Sequence, residues 1–165
     1  MTSRVSDLLP TGPGAYALWI SLLFPARASI GRLGTYSFPA GEYLYLGSAQ
    51  GSGGVRARVA HHLGSQTAPH WHLDWLRPYL SAAGCWFASP GESSLQCLWS
   101  QAVAGLAGAN IPAKGFGASD CRLSCAAHFV HLPDGVSTML LWNVLQGVCS
   151  TPVGFTDLRF PAART

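Results

Sequence analysis

Glu42-Tyr43-Leu44-Tyr45-Leu46-Gly47, followed by Gly51-Ser52-Gly53-Gly54 and then Val55-Arg56-Ala57-Arg58-Val59-Ala60-His61-His62-Leu63, decides how this chain folds. The first segment alternates along a strand, placing Tyr43 and Tyr45 on one face and Leu44 and Leu46 on the other. The glycines then turn the chain into a helix over Val55–Leu63, which Gly64 stops. On that helix Arg58 and His62 stand four positions apart and leave the same face. A strand, a glycine turn and a helix in this order call for a sheet with helices packed on it.

Working outward, Tyr16–Phe24 (YALWISLLF) is rich in aromatic and aliphatic side chains and ends at Pro25, so it reads as a central strand. Ser29–Leu33 reads as a short second strand, and Phe38–Gly41 as a turn. His70–Leu80 (HWHLDWLRPYL) carries Trp71, Trp75 and Leu76 at helical spacing, with both tryptophans expected in the core. Gly84–Ser89 and His128–Leu132 read as strands, Ser93–Leu106 as a helix with a serine cap, and Gly115–Asp120 as a glycine-rich loop. Thr138–Val148 fits a strand or a helix. The expected architecture is α/β (α+β), a small central mixed or antiparallel sheet flanked by helices. The domain is expected over residues 12–149, with an N-terminal extension at 1–11 and a C-terminal tail at 150–165 that lack pattern.

A chain of 165 residues is the size of one domain with one sizeable core. Charged residues make up only 10%, so Ser, Thr, Gln, His and Gly must carry much of the surface. Nine of the ten basic residues are arginines, and the net charge of +3 suits a nucleic-acid partner without requiring one. No apolar run is long enough to span a bilayer, so no membrane is expected. The opening residues lack a charged segment followed by an apolar one, and five cysteines without repeating spacing do not form a disulfide framework. These features point to a reducing cytoplasm.

Tyr16 and Tyr45 lie 29 positions apart, at a strand start and a strand end. Pairing of those strands would bring the two phenols beside Arg58. A phenol can move a proton, a guanidinium can hold phosphate oxygens in a planar fork, and an imidazole can assist either task. The adjacent glycines would let a phosphate backbone come close. Arg56 leaves another face of the helix and reads as a surface or backbone-phosphate contact.

The segments Gly14-Ala15-Tyr16 and Tyr45-Leu46-Gly47 resemble those that name the GIY-YIG nuclease superfamily. GRLG at Gly31–Gly34, FPAGEYLYLGSA at Phe38–Ala49, GGVRARVAHHL at Gly53–Leu63, HWHLDWL at His70–Leu76 and GFGASDC at Gly115–Cys121 are similar to a branch of it with HWH and FGxSDC motifs. Members of that branch are sometimes fused to endonuclease III-like domains. The resemblance spans about residues 12 to 132. It implies metal-assisted hydrolysis of DNA, with Mg²⁺ or Mn²⁺ as cofactor. By position, Tyr45 or Tyr16 activates water, Arg58 clamps the phosphate, and His62 is an accessory acid or base. Gly47, Ser48, Arg56, His70, His72 and Lys114 are the residues expected to face nucleic acid. Two departures stand out. The position where relatives carry a metal-binding glutamate is Gln96, with Glu92 one turn earlier and Asp120 in the glycine-rich loop as substitutes. His61 stands where relatives tend to carry arginine.

Two other readings belong beside a nuclease. Loss of the carboxylate at Gln96 would leave a non-catalytic nucleic-acid-binding module. An exposed apolar patch around Trp86, Trp99 or Trp142 would mark a protein-interaction domain. On the expected helix His70 and Asp74 share a face while His72 does not, so these three do not converge on a metal. Cys121-x3-Cys125-x2-His128 offers three zinc ligand types, with Cys97 or His131 as the fourth.

Overall fold

Alternation of side chains along Tyr16–Leu22 needs a covered face on each side, and the chain supplies both. The structure is a computed structural model that describes residues 6–64 and 68–159. β1 (Gly14–Leu22) is the centre of a five-stranded sheet. It pairs antiparallel with β4 (Gly41–Ala49) on one side and β5 (Ser81–Ala88) on the other. β6 (Phe129–His131) extends the sheet beyond β4, and β7 (Gly154–Asp157) extends it beyond β5, both antiparallel. A separate hairpin joins β2 (Ala26–Ile30) to β3 (Gly34–Phe38).

Tyr16, Leu18, Ile20, Tyr43 and Tyr45 project to one side of the sheet. Val55 and Val59 of α1 (Gly54–Leu63) and Phe38 of β3 cover them. Ala15, Ala17, Leu44, Leu46 and Trp86 project to the other. There they meet Leu95, Trp99 and Val103 of α2 (Leu95–Ala104) and Leu141 and Leu145 of α3 (Thr138–Gly147). The small Ala15 and Ala17 leave room for Trp86 and Trp99, the two largest buried side chains on that side.

Several expectations change. His70–Leu80 is not an α-helix but two 3₁₀ turns, His72–Trp75 and Arg77–Tyr79. Pro78 has no N–H to donate and disfavours helical backbone before it. The Asp74 carboxylate also captures the N–H groups of His70 and Trp71. Trp75 is consequently 40% exposed rather than in the core. β3, with its exposed polar pattern, is a strand where the sequence shows only a turn after it. α2 starts at Leu95, and the side chain of Ser94 makes no capping bond. Thr138–Gly147 is a helix, capped by Ser137 Oγ accepting from Leu140 N at 3.1 Å. Residues 154–157, read from sequence as part of a tail, form an edge strand, and Leu9 of the expected extension is buried in the core. The tail from Pro161 lies outside the described residues. No helix among the described residues is long and apolar enough to cross a membrane.

Candidate functional site

The β1–β4 register places Tyr16 opposite Gly47 and Leu18 opposite Tyr45. Both phenols therefore leave the same face, with ring centroids 6.4 Å apart. A Cβ on Gly47 would collide with the Tyr16 ring, so this glycine makes room for the phenol of the neighbouring strand. A Cβ on Gly14 would collide with the Ala88 carbonyl oxygen. Packing, and not the approach of a phosphate, explains both glycines.

Tyr16, Tyr45 and Arg58 line one open cleft of about 560 Å³ where β1 begins and β4 ends. Gly47, Ser48, Trp71, Gln96 and Asp120 line it too. Arg58 is held by its surroundings: its guanidinium lies over the Trp71 ring at 4.3 Å and donates to Ser48 O at 3.4 Å. Stacking of this kind leaves the remaining N–H groups of the fork directed along its plane.

Behind the cleft, Tyr16 Oη is 2.8 Å from His62 Nε2. His62 Nδ1 faces Asp74 Oδ1 at 3.7 Å, an ion-pair separation longer than a hydrogen bond. A carboxylate can only accept, so the His62 proton belongs on Nδ1, and Nε2 accepts from the Tyr16 hydroxyl. Asp74 is the hub of this arrangement. It accepts from His70 N at 2.8 Å, Trp71 N at 2.9 Å, His61 Nε2 at 3.2 Å and Arg77 Nη2 at 2.6 Å.

These contacts set the charge states. Burial raises the Asp74 carboxyl, but His62, the two backbone N–H groups and His61 outweigh it and hold the group well below the usual carboxylate range. Burial lowers His62 below its ordinary value despite the pull of Asp74, which favours a neutral ring. Burial raises the Tyr16 phenol well above its ordinary value, Tyr45 adds to the shift, and Arg58 offsets part of it. Tyr45 is raised by burial and by the charge of Asp74, again partly offset by Arg58. The site at neutral pH thus holds two neutral phenols, a neutral imidazole, a buried carboxylate and a guanidinium.

The other expected residues fall in different places. His62 is buried behind Tyr16 and does not reach the cleft surface. Arg56 is bound to the N-terminal segment, donating to Leu9 O at 3.0 Å and Asp7 O at 2.7 Å. His72 Nδ1 accepts from Gly117 N at 2.8 Å and so positions the glycine-rich loop. His70 and Lys114 are exposed and lie outside the cleft lining. Gln96 lines the cleft, with its side-chain amide 3.2 Å from His128 Nδ1.

Trp71, Asp74, His61 and Arg122 are residues of the site that the sequence reading does not assign to it, although it weighs Asp74 as a metal ligand and notes His61 beside His62. Trp71 and Asp74 sit in HWHLDW, where an aspartate follows His70 and Trp71 at the spacing that accepts backbone N–H groups, and His61 reaches Asp74 from α1. Arg122 lines the cleft from the loop after Asp120, and no local pattern announces it.

A hard divalent cation needs oxygen ligands, commonly one or two carboxylates completed by substrate phosphates. Asp120 is the one carboxylate on the cleft among the described residues. Glu92 lines a neighbouring groove, Asp74 is saturated by donors, and Gln96 is engaged with His128. The described residues do not assemble a Mg²⁺ or Mn²⁺ site. A second group of ligand types lies against the same cleft: Cys97, Cys121, Cys125 and His128 place their ligand atoms within 4.8 Å of one another.

Of the tryptophans considered for a protein-binding patch, Trp86 and Trp99 are buried and Trp142 is 42% exposed.

A family model described as "Domain of unknown function DUF123" matches residues 15–146. No curated protein and no solved structure matches the chain.

Proposed function

The chain belongs to the DUF123 family, and from that premise we propose that it is a GIY-YIG-type endonuclease domain whose cleft receives one phosphodiester of DNA. The observation that carries this reading is that Tyr16, Tyr45 and Arg58 line one cleft, the two phenols almost wholly buried at its floor (1% and 5% exposed), with Tyr16 hydrogen-bonded to the buried His62 imidazole, which in turn faces Asp74. Arg58, stacked on Trp71, holds non-bridging phosphate oxygens and stabilises the charge that grows on them. The Tyr45 phenol, kept neutral by burial, donates to another of these oxygens.

Tyr16 is the group suited to take a proton from water. Its own phenolate is disfavoured, so it acts through His62. As water oxygen attacks phosphorus, a water proton passes to Tyr16 Oη and the Tyr16 proton passes to His62 Nε2. The new imidazolium faces the Asp74 carboxylate. The P–O bond to the leaving group breaks, and solvent protonates the departing oxygen. This is the nucleophile–base–orienter logic of a triad applied to water.

A second reading has one specific observation in its favour. Gln96 carries no charge and its amide is occupied by His128, which suits a module that binds nucleic acid without cutting it.

Cleavage of single-stranded, duplex and branched DNA with Mg²⁺ or Mn²⁺ tests the proposal, with Tyr16→Phe and Arg58→Ala run beside the parent chain. The endonuclease reading expects cleavage that both variants lose. Binding that needs Arg58, without cleavage, selects the second reading. Binding indifferent to Arg58→Ala contradicts both.

A further inference from the structure

We propose that Cys97, Cys121, Cys125 and His128 form a structural Zn²⁺ site that braces one wall of the cleft. The residues come from separate parts of the chain: Cys97 from the first turn of α2, Cys121 and Cys125 from the loop after Asp120, and His128 from the entry to β6. Packing alone has no reason to gather three thiols and an imidazole nitrogen within 4.8 Å of one another.

The distances have the scale of a tetrahedral ion. Zn–S bonds of about 2.3 Å and Zn–N bonds of about 2.0 Å put neighbouring ligand atoms roughly 3.5–3.8 Å apart. Cys97 Sγ is 3.5 Å from Cys121 Sγ and 3.6 Å from His128 Nε2. A disulfide needs its sulfurs at about 2.05 Å, and all five cysteines are free. Three sulfurs and one nitrogen make a closed set with no position left for water, which marks a structural rather than a catalytic ion.

The surroundings orient the ligands. The Gln96 amide meets His128 Nδ1 and turns the other ring nitrogen, Nε2, toward the sulfurs. A ring bound to metal through Nε2 carries its proton on Nδ1, so on zinc binding the Gln96 amide, whose Nε2 faces Nδ1 in the structure, would flip to present its oxygen as acceptor. Gln101 Nε2 donates to Cys125 Sγ at 3.9 Å. The backbone of His128 is fixed as well: its N–H donates to Phe116 O at 2.8 Å, and its carbonyl accepts from Leu46 N at 2.8 Å. Gln96 thereby has a role beside the zinc ligands, as the partner of His128 Nδ1.

An ion here would tie α2 to the loop that carries Gly117, Asp120 and Arg122 into the cleft. The site stands on its own residues and does not require the endonuclease reading.

Metal content of the full chain purified without chelator or added zinc is the test, with a Co²⁺-exchanged sample read by absorption. The expected result is on the order of one zinc per chain, and Co²⁺ bands of tetrahedral thiolate ligation. Cys125→Ser should lose zinc affinity by about a hundredfold or more, and Cys149→Ser should keep it. If Cys125→Ser fails to fold, the Co²⁺ spectrum of the parent chain decides. Parent protein that neither contains nor takes up zinc, zinc retained fully by Cys125→Ser, or a Co²⁺ spectrum without thiolate bands would each overturn the site. None of these readings depends on DNA.

Discussion

The cleft has two walls of opposite chemistry. The wall built from β1, β4 and α1 holds Tyr16, Tyr45 and Arg58, and closes on itself through Trp71, His62 and Asp74. Its groups answer one another within the chain, although the buried His62 Nδ1 faces Asp74 at 3.7 Å without a hydrogen bond. The facing wall, from α2 and the loop through Asp120 to His128, holds three sulfurs and an imidazole that point at one another. The first wall is organised by hydrogen bonds and burial, and the second gathers ligand types that the proposed Zn²⁺ would join. The contrast separates the proposed chemistry from the proposed bracing.

The largest expected effect comes from breaking the first wall alone. On the endonuclease reading, Arg58→Ala should lower single-turnover cleavage by about 10²–10³-fold, because it would remove the charge proposed to stabilise the transition state. Tyr16→Phe should cost about 10²-fold in cleavage while leaving oligonucleotide affinity nearly unchanged, since the proton path is lost and the clamp is kept. An equal loss of binding in both variants would erase the division of labour between the two residues.

Next in size is the hub. Asp74→Asn removes the charge that faces His61, His62 and Arg77. It should destabilise the fold by about 3–5 kcal/mol in urea unfolding, the range for breaking a buried pair. A change below about 1 kcal/mol would show that the carboxylate does not organise this wall. Gly47→Ala should cost about 1–3 kcal/mol, because its methyl group overlaps the Tyr16 ring, and should disturb the tyrosine near-UV signal.

The smallest effect is on pH. The folded-state value of His62 is depressed, so the unfolded chain binds its proton more readily. Its contribution to stability is present above the unfolded value near 6.5 and is lost as pH falls through the depressed one, with a slope of at most about 1.4 kcal/mol per pH unit. Asp74 is depressed too, and its loss adds as pH drops below about 4. Cleavage should fall on the same acid side, because protonated His62 cannot accept from Tyr16. His62→Gln should remove the step near the histidine value.

Much of the first wall was legible in the sequence. Period-two alternation put Tyr43 and Tyr45 together, helical spacing put Arg58 and His62 on one face, and the strand–turn–helix order made their meeting plausible. The Asp74 hub was not, because HWHLDW has helical spacing while Pro78 and the Asp74 carboxylate force two 3₁₀ turns. Local pattern could not reveal β3, where Gly34, Thr35 and Ser37 are exposed and only Phe38 is buried, or β7, whose place depends on pairing with a strand more than sixty positions earlier. In the second wall, Cys121, Cys125 and His128 were visible as a run. The choice of Cys97 over His131 as fourth partner needed the fold, since it rests on the packing of α2 against the loop.

The most direct measurement follows the side-chain resonances of Arg58, Tyr16 and Tyr45 by NMR while a short DNA duplex is titrated into the full chain. The account predicts that the Arg58 guanidinium and both phenols shift together and saturate with binding, as one phosphate seats between them. Shifts confined to surfaces outside the cleft, with these three resonances unmoved at saturation, would contradict it.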